Sequence, residues 1–358
     1  MIQDFFRSDL NDFKAYKPSK TDYKVRLDAN EFFSDFSEDI KKKIGEAIEN
    51  SIFNRYPDAA AIELCALYAE YAKVKSIDVM AGNGSDECIQ IITNAFLNTG
   101  DKVAVQSPDF SMYGQYTKVA GGIPIEFPLD HEFKLDVNNF ISMVNREKVK
   151  IVFLSNPNNP TGGIIERTDI LKIIEGCSCI VVIDEAYFEF YGQTIVDKIE
   201  DYENLIVLRT CSKFGLAAIR IGFLITNSIL MAELLKVKPP YNVNAITQSI
   251  ASVILKNLSI INKNVERILI ERKYLWDSLS HIKGIILHKS ESNFILVQFE
   301  NAKKTREKLL ASGINVRCFT SITLQNCLRI TIGNRDENEN LLNNISQENK
   351  VNLKVLND

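Results

Sequence analysis

Histidine is scarce in this sequence, and its scarcity narrows the chemistry that the protein can perform. Only three histidines occur among 358 residues, at positions 131, 281 and 288. The seven cysteines show no zinc-binding spacing, since Cys177 and Cys179 are one residue apart with no histidine near them. We therefore expect neither a histidine-ligated metal centre nor a Ser-His-Asp hydrolase, and we assign no metal ion.

Long apolar runs and a strong charge of either sign are also missing. No apolar run approaches the roughly 18 residues that are needed to span a bilayer. The charged N-terminal segment lacks the apolar region of a signal peptide. The formal net charge of −4 argues against a nucleic-acid-binding surface. We expect a cytoplasmic protein of about two domains that acts on small molecules, with neither nucleic acid nor membrane as a partner.

What the sequence does contain is an alternation of short β-branched segments with amphipathic helical segments. The segments KIVFL and CIVVI, for example, are typical of buried strands. This alternation predicts an α/β fold, a mostly parallel sheet sandwiched by helices. We expect a smaller α+β domain from the C-terminal part plus the N-terminal arm. The predicted units are 1–50, an arm and helix joining the small domain; 51–275, the large domain; and 276–358, the small domain.

Two further segments, an arm and a helical stretch, lie outside this alternation. Residues 1 to about 25 are polar, and we expect an irregular arm there. Residues 245–279 have helical spacing with some β-branched interruption, which predicts one long helical stretch that leads to the second unit.

Two polar segments follow predicted strands, where open α/β sheets bind ligands. The first, SNPNNPTGG at 155–163, also has the composition of an ordinary tight turn. The second ends a strand in Asp184, with Tyr187 three residues later. A carboxylate at a buried strand end needs a cation or a hydrogen-bonding ligand, and the alternative is a helix N-cap.

Two further segments carry groups that suit an anion and a carbonyl compound. Lys213 lies between Ser212 and an apolar stretch that ends in Arg220. A desolvated lysine near a second cation can form a Schiff base with a carbonyl, whereas most lysines are simply exposed. The segment MAGNGSDEC at 80–88 precedes a predicted helix, whose first N–H groups could bind an anion or only begin an ordinary helix. Its spacing is not that of a dinucleotide fingerprint or a P-loop.

Together these four segments match the requirements of pyridoxal phosphate. Its aldehyde reacts with a lysine, its ring nitrogen requires a carboxylate, and its phosphate requires N–H groups and an arginine. The joint requirement is much more specific than any one of the segments.

The chain resembles the fold-type I pyridoxal-phosphate enzymes and, among them, the histidinol-phosphate aminotransferase family. The resemblance runs from about residue 16 to about residue 340 in family order. Its motifs are LDANE at 27–31, RYPD at 55–58, GNGSDE at 82–87, SNPNNPTG at 155–162, DEAY at 184–187, SKFGLAAIRIG at 212–222, PPYNVN at 239–244, SNF at 292–294 and LRITIG at 328–333. RYPD, PPYNVN and LRITIG favour the histidinol-phosphate branch.

The resemblance implies a role for each matching residue. Lys213 forms the Schiff base and carries the proton, and Asp184 pairs with the ring nitrogen of pyridoxal phosphate. The remaining implied cofactor contacts are Asn159 and Tyr187 at the ring 3-oxygen, Phe110 on the ring face, and Ser85, Asp86, Thr210, Ser212 and Arg220 at the phosphate. Tyr56 is implied to reach the cofactor phosphate of the partner subunit in a homodimer. The implied substrate contacts are Arg329, Arg317, Tyr16, Asn30 and Asn244.

Three departures from the family pattern concern the pocket rather than the Schiff-base chemistry. Asn30-Glu31 is followed by two phenylalanines where the family has proline in its Asn-Glu-x-Pro loop, Cys318 stands where aspartate is frequent, and Phe110 stands where tyrosine is common. The implied activity interconverts L-histidinol phosphate with 2-oxoglutarate and imidazole acetol phosphate with L-glutamate, in histidine biosynthesis. The alternatives on this scaffold are an aromatic-amino-acid aminotransferase, a phospho-amino-acid decarboxylase, and a non-catalytic regulatory relative.

Overall fold

The computed structural model describes residues 2–7, 13 and 23–355. The strands in this part of the chain are β1 (Val25–Leu27), β2 (Val79–Gly82), β3 (Lys102–Ser107), β4 (Ile123–Pro128), β5 (Ile151–Ser155), β6 (Ile180–Asp184), β7 (Leu205–Thr210), β8 (Gly222–Thr226), β9 (Ile285–His288), β10 (Phe294–Phe299), β11 (Ile314–Cys318) and β12 (Cys327–Thr331). The helices are α1 (Glu38–Glu49), α2 (Ile62–Ala72), α3 (Gly84–Phe96), α4 (Met112–Val119), α5 (Val137–Arg146), α6 (Arg167–Gly176), α7 (Phe188–Tyr191), α8 (Ser228–Val237), α9 (Ala245–Leu255), α10 (Ser259–Ser280), α11 (Ala302–Ala311) and α12 (Arg335–Val355). None of the helices in these ranges is long and apolar enough to cross a membrane.

The larger sheet has seven strands in the order β2-β8-β7-β6-β5-β3-β4. Only β8 runs antiparallel to its neighbours. The central strands β5 to β8 are almost entirely buried because helices cover both faces, as the continuous apolar segments predict. The predicted α/β class, with a mostly parallel sheet, is confirmed.

The smaller sheet has five strands in the order β1-β11-β12-β10-β9. Its N-terminal strand, β1, pairs parallel with β11, nearly 300 residues further along the chain. One face of this sheet packs against α10, α11 and α12 around residues such as Ile295, Val316 and Leu328. The opposite face carries polar residues toward the larger sheet. Helix α1 instead packs on α9, and its Ile40 lies in the core of the larger unit.

The structure refines two local predictions from the sequence. The helical stretch predicted over 245–279 is present as two helices, since the chain breaks after Leu255, where the Asn257 side chain donates to the Val253 carbonyl at 2.7 Å. The arm predicted up to about residue 25 ends where β1 begins. Helix α4 has no counterpart in the sequence prediction, since it is short and contains glycine and β-branched residues of low helix propensity.

A buried ion pair fixes the ends of β6 and β7 beside the strand edge where the polar motifs lie. The Arg209 and Glu185 side chains are 1% and 2% exposed, and Arg209 Nη2 is 2.8 Å from Glu185 Oε2. Thr194 Oγ1 accepts a hydrogen bond from Arg209 Nη2 at 2.7 Å, and the Ile195 N–H donates to Glu185 Oε1 at 2.8 Å. Removing one partner of such a pair leaves an uncompensated charge, so this pair holds the two strand ends in place.

A second carboxyl in this region, that of Glu189, provides a test of stability against pH. Burial raises the pKa of Glu189 to about 7, and its Oε2 has no hydrogen-bond partner in the described part of the chain. The folded state therefore prefers the protonated form of Glu189. The free energy of unfolding consequently falls as the pH rises through 7. We expect Glu189→Gln to increase the free energy of unfolding of the cofactor-free protein at pH 8 by at most about 3 kcal/mol, since each unit of pKa shift corresponds to about 1.4 kcal/mol.

Denaturant titration at pH 8 and pH 5 measures this effect. The increase in the free energy of unfolding should be much smaller at pH 5, where Glu189 is mostly protonated in the folded wild type. The exposed Glu49→Gln is the control and should change neither value. An equal gain at both pH values would contradict the titration of Glu189 as its cause.

Candidate active site

Three neighbouring strands of the larger sheet end in polar residues at one edge. Ser155 of β5 lies in register with Asp184 of β6, and Asp184 lies in register with Leu208 of β7, two residues before Thr210. The chain then turns through Ser212–Phe214, which carries Lys213. The motifs that the sequence predicts at strand ends are thus brought together at the edge where such sheets bind ligands.

Asp184 is a buried carboxylate held by two donors. Tyr113 Oη donates to Asp184 Oδ2 at 2.7 Å, and the Ala186 N–H donates to Oδ1 at 3.0 Å. Burial raises the pKa of Asp184 to about 6, and the hydrogen bond from Tyr113 opposes this rise. A buried carboxyl with donors at both oxygens can pair with a protonated ring nitrogen. Tyr113 was missed by the sequence analysis, although it lies in the same SPDFSMY segment as Phe110.

The N-terminus of α3 reaches the site through close backbone packing. A Cβ added at Gly222 would lie 2.4 Å from the Ser85 nitrogen and 2.5 Å from the Gly84 carbonyl carbon. Only glycine permits β8 to approach the helix start so closely. The first N–H groups of α3, at Gly84, Ser85 and Asp86, have no acceptor within the helix and are suited to bind an anion.

Hydroxyl groups and a guanidinium complete this anion cradle. Thr210 Oγ1 donates to Ser212 Oγ at 3.0 Å, and Arg220 Nη1 is 3.4 Å from the same oxygen. Arg220 Nη2 also lies 3.1 Å from Asp86 Oδ2. A Cβ on Gly84 would be 2.7 Å from Arg220 Nη2, so the guanidinium lies directly against the helix start. These groups are the donors that a phosphate ester requires.

Lys213 and Tyr187 lie on the side of the site that faces the smaller sheet. Lys213 Nζ is 5.7 Å from the centroid of the Tyr187 ring. The Tyr187 hydroxyl accepts a hydrogen bond from Asn30 Nδ2 at 2.8 Å, so its own proton is available for a further acceptor. Asn30 is itself buried, and its Oδ1 accepts from Thr331 Oγ1 at 3.1 Å.

A pair of arginines on β11 and β12 faces the large-sheet edge. Arg329 Nη1 donates to Asn159 Oδ1 at 2.5 Å, and its Nη2 donates to the Asp28 carbonyl at 2.6 Å. Arg317 is the direct cross-strand partner of Arg329 in the antiparallel ladder, so the two side chains project from the same face. Like charges opposite one another destabilise a sheet, and an anion between them would offset that cost.

Phe110 lies beside this constellation, whereas Tyr56 and Asn244 contact other residues. The Phe110 ring contacts the Tyr113 ring edge-on, with 5.5 Å between the ring centroids. Tyr56 is 81% exposed and stacks on Tyr241, with 4.6 Å between the ring centroids. Asn244 caps α9, with its Oδ1 accepting the Thr247 N–H at 2.8 Å. Tyr16 lies outside the described residues.

The residues at the strand edge are a chemical match for pyridoxal phosphate. A buried acid, a lysine, an anion cradle that glycines keep open, and a tyrosine hydroxyl with its proton available lie together. These groups correspond to the ring nitrogen, aldehyde, phosphate and 3-oxygen of that cofactor.

Comparison with known proteins agrees with this arrangement. The family Aminotransferase class I and II matches residues 22–345. The histidinol-phosphate aminotransferase of Clostridium novyi is 49% identical over 98% of this chain and 98% of its own length. The crystal structure of the histidinol-phosphate aminotransferase from Clostridium acetobutylicum has a TM-score of 0.84 and 27% identity, and covers 91% of this chain and 99% of that one. That of Sinorhizobium meliloti in complex with pyridoxal-5'-phosphate has a TM-score of 0.85 at 21% identity over 92% of each chain, which shows the shared fold. The chain therefore belongs to the class I and II aminotransferases and, within them, to the family of the histidinol-phosphate aminotransferases.

Proposed function

We propose that the protein transfers the amino group of L-histidinol phosphate to 2-oxoglutarate, giving imidazole acetol phosphate and L-glutamate, in histidine biosynthesis. The observation that carries this proposal is the cross-strand pair Arg317 and Arg329, of which Arg329 donates to Asn159. Two guanidinium groups on one sheet face suit a dianionic phosphate. Relatives that are 38–49% identical over nearly the whole chain carry the same activity in their names.

We assign each contact of the cofactor to residues at the strand edge. Asp184 would hold the ring nitrogen of pyridoxal phosphate, and Asn159 and Tyr187 would hold its 3-oxygen. Phe110 would cover the ring. The phosphate would be held in the cradle formed by Ser85, Asp86, Thr210, Ser212 and Arg220. When bound, pyridoxal phosphate supplies an aldehyde for the amino group and a ring that withdraws electrons from the reacting carbon.

The residues of the chain then supply binding, orientation and proton transfer. Lys213 would hold the aldehyde of the cofactor until the substrate amine takes its place, and its freed amine would take the proton from the substrate α-carbon and carry it. Asp184, when ionised, would favour the protonated ring nitrogen and so preserve the electron sink. The Tyr187 hydroxyl accepts a hydrogen bond from Asn30 and would donate one to the ring 3-oxygen. Because the amino group passes through the enzyme in two halves, the kinetics should be ping-pong.

The arginines and their neighbours bind the substrate. Arg329 and Arg317 hold its phosphate, with Asn30, Asn244 and Tyr16 as further contacts. The Asn30 side chain is buried and already donates to the Tyr187 hydroxyl.

We further propose a cytoplasmic homodimer. A patch of apolar residues, Ile52, Phe53, Tyr56 and Tyr241, is between 43% and 81% exposed and surrounds a surface cavity of about 470 Å³. Large exposed apolar patches mark interfaces, and a second copy that covers this one would bring Tyr56 to the partner's cofactor phosphate. All seven cysteines are free thiols, which supports a reducing compartment.

A single-turnover experiment tests the reaction. The purified protein is loaded with pyridoxal phosphate, and the visible absorbance of the lysine-bound cofactor is followed after addition of L-histidinol phosphate alone. We expect loss of this absorbance at one equivalent per site, and its recovery with 2-oxoglutarate, since each half of the reaction runs separately.

Two competing substrates discriminate the alternatives. A faster single turnover with L-phenylalanine would indicate an aromatic-amino-acid aminotransferase. Release of carbon dioxide from O-phosphothreonine would indicate a decarboxylase. No reaction with any of the three, despite bound cofactor, would contradict an enzymatic role for these substrates.

A further inference from the structure

Tyr113 is a fully buried tyrosine whose ring is held on two sides. The ring stacks on Phe153 with 5.0 Å between centroids and an interplanar angle of 6°. It also contacts the Phe110 ring edge-on, with 5.5 Å between centroids and an interplanar angle of 83°. Because the two neighbours fix the plane of the ring, the hydroxyl has one direction in which to point.

That direction leads to the acid of the candidate active site. Tyr113 Oη lies 2.7 Å from Asp184 Oδ2, and burial raises the pKa of Tyr113, so the hydroxyl is the donor. The other oxygen of Asp184 accepts the Ala186 N–H at 3.0 Å. The carboxylate is therefore held at both oxygens, and its plane is fixed before any ligand binds.

We propose that Tyr113 is a positioning residue for the cofactor ring: its hydroxyl orients the Asp184 carboxylate and keeps it ionised, and its ring sets the plane of Phe110. The inference rests on the proposed pyridoxal phosphate. It adds a residue that touches neither cofactor nor substrate but acts through two residues that do.

The electrostatic consequence follows from the surroundings of Asp184. Its burial favours the protonated acid, and the charges and dipoles that face it are the Tyr113 hydroxyl, the Ala186 N–H, Lys213, Asp86 and the Cys88 thiol. Of these, the Tyr113 hydrogen bond is the strongest influence that favours the ionised form. Without it, the proton shared with the ring nitrogen would move toward Asp184, and the ring would lose its positive charge.

The test measures ring-nitrogen protonation directly. The protein is loaded with pyridoxal phosphate carrying ¹⁵N in the ring, and the nitrogen chemical shift is recorded for the wild type and Y113F. We expect the Y113F signal to move toward the unprotonated value and the Kd of the cofactor to rise about tenfold, as loss of a bond to a charged group implies. The control Y68F removes another fully buried tyrosine hydroxyl, one without a partner among the described residues, and should change neither value.

A double-mutant cycle separates positioning from general packing. If Tyr113 acts through Asp184, then Y113F should change the cofactor Kd less than about twofold in a D184N background, because the shared interaction is already lost. The same tenfold loss in that background would overturn the proposal, as would an unchanged nitrogen signal in Y113F. If Y113F fails to fold, a fluorinated tyrosine at position 113 keeps the ring and strengthens the donor, and it should move the signal the opposite way.

The outcome also separates this inference from the proposed function. A wild type that binds the cofactor at Lys213, with a nitrogen signal that Y113F leaves unmoved, contradicts the positioning role alone. A wild type that does not bind pyridoxal phosphate contradicts the proposed function and, with it, the role of Tyr113.

Discussion

Lys213→Ala should abolish both transamination and the visible absorbance of the lysine-bound cofactor. The lysine is the covalent attachment point and the proton carrier in the proposed reaction, so two functions are lost together. We expect turnover to fall by at least about 10⁴-fold, because removal of one member of a catalytic unit costs nearly as much as removal of the whole unit. Absorbance spectra and single-turnover rates measure the two losses.

Two controls show whether the loss belongs to this amine. The exposed Lys236→Ala, on α8, should retain wild-type spectra and rates. Addition of methylamine to Lys213→Ala should restore part of the proton-transfer rate, since a small free amine can occupy the vacated position. A Lys213→Ala protein with the wild-type spectrum would contradict the assignment of the site.

Lys213→Ala also provides a test of the proposed dimer. A mixture of Lys213→Ala and Tyr56→Ala chains should be more active than Tyr56→Ala alone. A mixed dimer would contain one site with Lys213 from one chain and Tyr56 from the other. Unchanged activity in a mixture that exchanges subunits would contradict a role for Tyr56 in the partner's site.

Arg329→Gln should lower kcat/KM for L-histidinol phosphate by on the order of 10² to 10³-fold, the effect of truncating a buried, hydrogen-bonded charge. Arg329 is 8% exposed, and its guanidinium donates to Asn159 and to the Asp28 carbonyl. Its loss would remove the proposed phosphate contact and a hydrogen bond that holds Asn159. Arg317→Gln should have a smaller effect, because Arg317 is only half-buried. Steady-state kinetics with both substrates provide the values.

A substrate without phosphate distinguishes anion binding from general damage. L-Histidinol should react slowly with the wild type, and Arg329→Gln should reduce this slow rate much less than the rate with L-histidinol phosphate. The exposed Arg335→Gln, whose side chain pairs with Glu271 on α10, is the control for loss of a guanidinium. Equal losses for both substrates would contradict a phosphate-binding role.

The sequence predicts most of the large-sheet side of the site because its residues follow strands that are recognisable locally. Asp184 and Lys213 each lie next to a β-branched segment, and parallel strands bring their carboxyl ends to one edge. Tyr113 could not be predicted in this way. Its helix, α4, has low helical propensity, and its partner Asp184 is 71 residues away. The N-cap role of Asn244 is a local signal that was available, since asparagine precedes a helical segment there.

Local sequence patterns could not predict the contacts between the two sheets. Asn30 reaches Tyr187 because a three-residue strand, β1, pairs with β11 from the other end of the chain. Periodicity cannot identify so short a strand, and neither its partner nor its register is encoded nearby in the sequence. The family resemblance implied a substrate role for Asn30, and the structure adds its hydrogen bonds to Tyr187 and Thr331.

The pairing of β1 with the C-terminal strands also determines when during synthesis an active site can form. Asn30 with Thr331, and Asp28 with Arg329, are contacts between residues 301 positions apart. Closing so long a loop is slow, and it requires both ends of the loop to be present. The large sheet is complete in sequence by Thr226, more than 100 residues before Arg329 leaves the ribosome. A nascent or truncated chain can thus contain every proposed cofactor contact of its own subunit and still lack the proposed substrate face, so amino-group transfer from L-histidinol phosphate would be confined to chains synthesised past Arg329.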